Sequence, residues 1–142
     1  MFDTSHLHPM LVHFPIALVL FGFLADIASL LFKKEFCLSK TGFYLLMIGT
    51  LAAIVTWLSG FIFTSDLSGA AGIRRETHEL FATVTVILLI ITSVFQIILM
   101  IKKAQTSGLR WIVLALYGLA AVSVAITGLY GGTLVYVYMM PL

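Results

Sequence analysis

Histidines are the side chains of this sequence that are best suited to bind a metal or cofactor. There are four, His6, His8, His13 and His78, and the first three fall in the segment TSHLHPMLVHFPIAL at residues 4–18. Imidazole nitrogens bind haem iron, copper and zinc. Their crowding at the start of a long apolar run predicts a ligand-binding site where the chain leaves water.

Helical geometry separates the histidines of this segment. His8 and His13 lie five residues apart, which turns them about 140° away from each other on a regular helix. Pro9 suits the first position of a helix, so we expect His8 at the membrane surface and His13 inside the apolar run. Pro15 can bend the start of the helix and relax this separation. We expect His6 in solvent.

A second histidine at the same depth gives His13 a partner. His78 lies near the start of the third apolar stretch, on the same side of the membrane as His13. A b-type haem needs two imidazoles from facing helices, so His13 and His78 are the predicted axial ligands, with His8 beside them or as a substitute. Arg74 and Arg75 are the predicted partners of the haem propionates. In the plainer alternative, the histidines bond to nearby carbonyls and the arginines face lipid headgroups.

Membrane helices must position these residues. The chain has 142 residues, of which 61% are hydrophobic and only 10% charged, and its mean hydropathy is +1.14. Soluble domains carry about 25% charged residues. Four stretches are long enough to cross an apolar bilayer core of about 30 Å, namely residues 9–32, 41–63, 76–101 and 109–130. Short connectors predict a single all-α integral membrane domain over residues 1–142, folded as an antiparallel four-helix transmembrane bundle.

Basic residues predict the orientation of this bundle. Six of the eight Lys and Arg residues flank the first and third connectors, namely Lys33, Lys34, Lys40, Lys102, Lys103 and Arg110. The positive-inside rule then places these connectors in the cytoplasm and both termini outward, in the periplasm. Gly131–Gly132 is expected to end the fourth helix, and the remaining TLVYVYMMPL is expected to form a short outward tail. The net charge is only +2, and the few Lys and Arg residues lie between apolar stretches. The sequence therefore offers no basic face to a nucleic acid.

Further side chains inside the spans allow two interpretations each. Asp26, the one acid within the apolar run of a span, is either a proton relay or a residue paired near the interface. Small residues in the second and fourth spans predict close helix packing, within the bundle or against another protein. The small residues are Gly49, Ala52, Ala53, Gly60, Gly118, Ala121, Ala125 and Gly128. Phe14, Phe21 and Phe81 are expected to wall a porphyrin or simply to pack.

The motifs also resemble a known family. The segment LHPMLVHFPIAL, followed by Asp26, resembles the opening of the bacterial domain-of-unknown-function family 2231, and the later motifs follow in the family order over nearly the whole chain. Those later motifs are Gly60 with Asp66, His78, and GGTLVY at residues 131–136. The resemblance implies a small four-span protein of the bacterial cytoplasmic membrane, with His8, His13, Asp26, His78, Gly131 and Gly132 at motif positions. It also implies electron transfer, because some members are associated with cytochrome modules. The ending YVYMMPL departs from the polar, histidine-containing ending usual in the family.

Three functional hypotheses follow from these patterns. The first is a subunit that binds haem b near the outer face and exchanges electrons with a quinol or a periplasmic or membrane redox partner. The second is a cofactor-free accessory subunit of a larger membrane complex. The third is a copper or other metal site at the outward histidines, with soft ligands from Met10 and Met139–Met140. None of the three is a free-standing enzyme, because no nucleophile or acid pair is arranged for catalysis.

Overall fold

The computed structural model describes residues 7–32, 36–63, 68–102 and 108–138, and these residues form helices without any strand. A short helix α1 spans Leu7–Leu11, and four long helices follow it: α2 at His13–Leu31, α3 at Phe36–Phe63, α4 at Gly69–Ile101 and α5 at Gly108–Tyr136. The long helices are apolar and long enough to cross a membrane, with α1 and α2 together making the first span. The predicted all-α architecture with four membrane-length helices is confirmed.

The four long helices pack side by side in a closed ring. Helix α2 contacts α3 and α5, helix α4 also contacts α3 and α5, and α1 packs against α3 and α2. Inside this ring lies a core built from all four long helices. Its buried members are Val19, Leu46, Ala53, Leu89, Tyr117, Ala120, Ala121 and Val124.

The outer surface of the bundle is apolar as well. Large hydrophobic side chains on each long helix point away from the core, among them Phe21, Leu51, Ile87 and Leu119. A water-soluble protein would place polar residues on this surface, whereas lipid tails solvate apolar side chains. The chain is therefore a membrane protein whose helices contact the lipid bilayer.

Glycines of α3 and α5 allow the helices to approach closely. A Cβ atom at Gly49 would lie 3.1 Å from Val19, and one at Gly118 would lie 3.1 Å from the Phe23 ring, so α2 packs on both sites. The small residues on these faces serve contacts inside the bundle. The sequence left open whether such faces are internal, and the structure answers the question for these two positions.

Two helix ends differ from the sequence-based expectation. Helix α4 begins at Gly69, which adopts a positive φ of 66°, ahead of the expected start at residue 76. Helix α5 continues through Gly131–Gly132 to Tyr136, so the prediction that these glycines end the helix is wrong. The expected tail is helical as far as residue 136, and its Met139–Met140 pair lies outside the described residues.

Candidate functional site: a paired-histidine cavity

One end of the bundle encloses a cavity of about 200 Å³ between all the helices. Helix α1 and the start of α2 form one wall, and the end of α3, the start of α4 and the end of α5 form the others. Most lining side chains are apolar, and the main polar exceptions are His8, His13, His78 and the pair Arg75 and Glu79. The cavity therefore brings together residues that are far apart in the sequence.

His8 and His78 face each other across this cavity. Their ring centroids lie 6.3 Å apart, and the ring planes meet at 83°, an edge-to-face arrangement. His8 comes from α1 and His78 from α4, so the pair joins two separate walls.

Ser59 fixes the His8 ring. Nδ1 of His8 lies 2.8 Å from the Ser59 hydroxyl, and that hydroxyl lies 2.7 Å from the carbonyl of Thr56. A carbonyl only accepts, so the single Ser59 proton is donated to Thr56, and Nδ1 of His8 must donate to Ser59. This tautomer leaves the lone pair of His8 on Nε2.

A backbone carbonyl fixes the His78 ring in the same way. Nδ1 of His78 lies 3.0 Å from the carbonyl oxygen of Thr127, which can only accept, so Nδ1 carries the proton. The Thr127 hydroxyl joins a network with Thr85 and Ser123, in which the Thr85 hydroxyl lies 2.7 Å from Ser123 and 3.2 Å from Thr127. His78 therefore also presents its Nε2 lone pair, on a rigid contact between α4 and α5.

Each imidazole lies against a glycine. A Cβ atom at Gly60 would come within 3.2 Å of the His8 ring, and one at Gly131 would come within 3.1 Å of the His78 ring. The neighbouring Gly132 would meet nothing within 4 Å. Two of the glycines at motif positions thus make room for the two rings, although Gly131 was expected to end a helix.

The other candidate ligands take different positions. His13 also borders the cavity, but it lies at the start of α2 and its side chain is exposed. Met10 is 57% exposed. His6 lies outside the described residues. The metal or haem roles assigned to His8, His13 and His78 stay predictions.

Arg74 and Arg75 flank His78, as expected, and both have local contacts. Arg75 forms an ion pair with Glu79, with 2.9 Å between Nη2 and Oε1. The Arg74 guanidinium carbon lies 5.5 Å from the centre of the Tyr130 ring, which in turn stacks on Phe81 at 5.6 Å. A role with propionates stays a prediction for both arginines.

Two of the aromatic residues considered as porphyrin walls face outward. Phe14 is 62% exposed and Phe21 is 66% exposed, so both contact lipid. Neither borders the cavity. Their expected role in a porphyrin site is therefore wrong.

Asp26 has a partner that the sequence did not reveal. Nη2 of Arg110 lies 2.7 Å from Oδ1 of Asp26 and 3.3 Å from the Ser29 hydroxyl. Arg110 was expected at the rim among the loop charges, but its side chain is buried between helices. The sequence could have indicated this pair, because both residues lie at the same end of neighbouring antiparallel helices and therefore at a similar depth.

The donor set of the cavity is small. Among the described residues, the structure holds no group of three or more His, Cys, Asp and Glu side chains suited to a metal ion. Structural zinc sites use four such ligands, and catalytic ones use three. Two histidines alone therefore suit a cofactor whose metal already has other ligands, or a metal ion that needs only two ligands.

Comparison with known proteins yields a family match. A family model described as "Predicted membrane protein (DUF2231)" matches residues 4–141. No curated protein and no solved structure gives a significant match. The match covers the cavity, both facing histidines and the Asp26–Arg110 pair.

Proposed function

This chain belongs to the family of predicted membrane proteins called domain of unknown function 2231, and we propose that it is a haem-binding electron-transfer subunit of a larger membrane complex. His8 and His78 would hold the iron of a b-type haem. The observation that supports this proposal is the pair of facing imidazoles, 6.3 Å apart between centroids, with both Nδ1 atoms held by hydrogen bonds.

The separation of the two rings suits a shared metal ion. Imidazole nitrogen binds a metal at about 2.0–2.1 Å, so the 6.3 Å between the ring centroids leaves space for one ion that both histidines would hold. Hydrogen bonds at the far nitrogen orient a ligating ring and increase its basicity. Ser59 and the Thr127 carbonyl supply these bonds to His8 and His78.

The number of ligands favours haem over a bare ion. A porphyrin supplies four nitrogen ligands of its own, so the protein needs to add only two. The lining of the cavity is largely apolar, as is typical of cofactor sites. On the α5 wall, Gly132 leaves open space, since a Cβ atom there would meet nothing within 4 Å.

The cavity is small for a haem. About 200 Å³ is less than the roughly 300–1,000 Å³ of typical small-molecule pockets. Part of a macrocycle would have to extend beyond the enclosed space, at the opening bordered by Phe61 and Tyr136. Both side chains line the cavity and are exposed, Phe61 to 60% and Tyr136 to 83%.

The residues around the ligands would set the properties of the site. Haem supplies one-electron chemistry when bound. Apolar neighbours such as Val86 and Val124 would exclude water, and Arg75, which lines the cavity beside Glu79, would offer a cation to a propionate. Since the cavity occupies one end of the bundle, electrons would be exchanged on that side only, with a quinol or a partner redox protein.

A two-coordinate cuprous ion is the second candidate, and the small volume of the cavity favours it. Imidazole is a good ligand for copper, and an ion with two opposed ligands requires little space. His8 and His78 would hold it through the same Nε2 atoms. Its site would differ from the haem site only in what fills the cavity.

Optical and metal measurements on one sample distinguish these candidates. The protein would be produced with haem and copper supplied and purified in mild detergent. Dithionite-reduced protein is expected to show a Soret band and a sharp α band, which His8→Ala and His78→Ala should abolish. His13→Ala tests the other predicted ligand at this cavity and should retain both bands. A wild-type spectrum without a Soret band would overturn the haem proposal.

Metal analysis then decides the remaining cases. Copper that is lost in His8→Ala and retained in His13→Ala would support the cuprous site. Protein that contains neither haem nor copper would favour the cofactor-free accessory subunit. Recovery of a stable partner complex from mild detergent would support that hypothesis, and a lone monomer would contradict it.

A further inference from the structure

Three buried polar atoms without hydrogen-bond partners lie between α2 and α5, from the level of Gly22 to the start of α5. They are Oδ2 of Asp26, Nη1 of Arg110 and the hydroxyl oxygen of Tyr117, and none has a partner among the described residues. Asp26 is 0% exposed, Arg110 4% and Tyr117 1%. Buried polar atoms are almost always hydrogen-bonded, since leaving them unpaired costs their full desolvation energy.

These three atoms belong to one cluster. Nη2 of Arg110 lies 2.7 Å from Oδ1 of Asp26, so Nη1 and Oδ2 belong to the same buried ion pair. The Tyr117 hydroxyl reaches across to α2 and lies where a Cβ atom of Gly22 would be. Gly22 is one helical turn before Asp26, which places the hydroxyl on the same face as the carboxylate.

The chemistry of the cluster selects a neutral ligand. Oδ2 of the carboxylate accepts, Nη1 of the guanidinium donates, and the Tyr117 hydroxyl can do either. The guanidinium would repel a cation, and the carboxylate would repel an anion. Because the pair is neutral as a whole, a neutral ligand fits it best. Water can accept from Nη1, donate to Oδ2 and bond to the phenol, which matches the roughly three hydrogen bonds typical of a buried water molecule.

We propose that Asp26, Arg110 and Tyr117 bind an ordered water molecule that bridges α2 and α5. The water completes the hydrogen bonding of the ion pair and reduces the cost of burying two charges inside a membrane protein. It also links the pair to Tyr117, about two turns along α5 from Arg110. The site is independent of the histidine cavity and does not rest on the function proposed above.

A high-resolution structure of the full chain in lipid tests this proposal. Wild-type protein is expected to show a density peak within hydrogen-bond distance of Oδ2, Nη1 and the Tyr117 hydroxyl. Tyr117→Phe removes only the hydroxyl and should lose or displace this peak. Tyr44→Phe is the matched control, because Tyr44 is 58% exposed on α3, and it should retain the peak.

Either of two results would overturn the water site. One is a wild-type map in which the three atoms bond directly to one another with no density between them. The other is an unchanged peak in Tyr117→Phe, which would show that the phenol is not a ligand. If Tyr117→Phe fails to fold, the wild-type map alone decides between the bridged and the directly bonded arrangement.

Discussion

At the scale of single residues, Ser59 controls the orientation of His8. Its hydroxyl accepts the Nδ1 proton at 2.8 Å, and Ser59→Ala would leave the imidazole free to rotate and to change tautomer. Loss of such an outer partner typically lowers affinity about 10–100-fold, so we expect weaker haem binding by that factor. Titration of apoprotein with haem measures this change.

Thr77→Ala is the control for this substitution. The Thr77 hydroxyl bonds only to the carbonyl of Ile73 in its own helix, and affinity should stay at the wild-type value. Equal affinities in Ser59→Ala and Thr77→Ala would contradict the orienting role of Ser59.

The buried Asp26–Arg110 pair makes a second prediction at this scale. Arg110→Met would leave the Asp26 carboxylate buried without its cation, which typically costs about 3–5 kcal/mol. The double variant Asp26→Leu/Arg110→Met removes both charges and should be clearly more stable than Arg110→Met alone. Unfolding in mixed micelles compares the three proteins. A double variant as unstable as the single one would show that the unpaired charge is not the cause.

Residue-scale contacts were the least predictable part of this molecule. His78 was identified as a candidate ligand from its depth, but the sequence favoured His13 over His8 as the ligand that pairs with it. The reason is local: Pro9 suggested that the helix starts after His8, whereas α1 begins at Leu7 and includes His8. Hydrophobic periodicity does not show that His8 bonds to Ser59 and faces His78, because these contacts depend on how the helices pack.

At the scale of helices, two adjacent glycines of α5 allow a sharp comparison. A Cβ atom at Gly131 would lie 3.1 Å from the His78 ring, whereas one at Gly132 would meet nothing within 4 Å. Gly131→Ala should therefore displace the ring and alter the haem spectrum or weaken haem binding. Gly132 also lines the cavity, but Gly132→Ala should leave the His78 ring in place and stabilise the helix by about 0.5–1 kcal/mol.

Spectra and unfolding measurements on both variants test this pair. Identical haem spectra for Gly131→Ala and the wild type would show that the ring does not need the close approach to α5. A large loss of stability in Gly132→Ala would contradict the open surroundings of that position.

The four long helices were predictable from the sequence, but the positions of their ends were not. The four spans follow from length and hydropathy, since a bilayer core admits only long apolar helices or closed barrels. The end of α5 was missed because glycine usually weakens a helix, yet Gly131 lies within α5 and accommodates the His78 ring. The function of a glycine inside the bundle depends on what packs on it, and the sequence alone does not show this.

At the scale of the whole molecule, the two polar sites lie at opposite ends. The histidine cavity opens between α1 and the end of α5, and the Asp26–Arg110 pair lies near the start of α5. Between them is a layer of buried apolar side chains that includes Val19, Leu46 and Leu89. The cavity therefore communicates with one side of the membrane, and electron transfer across the bilayer would require a partner.

The orientation of the bundle decides which side that is. The distribution of Lys and Arg predicts cytoplasmic first and third connectors, which puts the histidine cavity on the periplasmic side.

Cys37 is the single cysteine of the chain, and it is exposed at the start of α3, next to the first connector. A membrane-impermeant maleimide should label Cys37 only after the cells are permeabilised. The variant Cys37→Ser/Ser68→Cys moves the thiol to an exposed position at the opposite end, before α4, and should be labelled in spheroplasts without permeabilisation. The reverse pattern would place the cavity on the cytoplasmic side, and its redox partner would then have to be sought there.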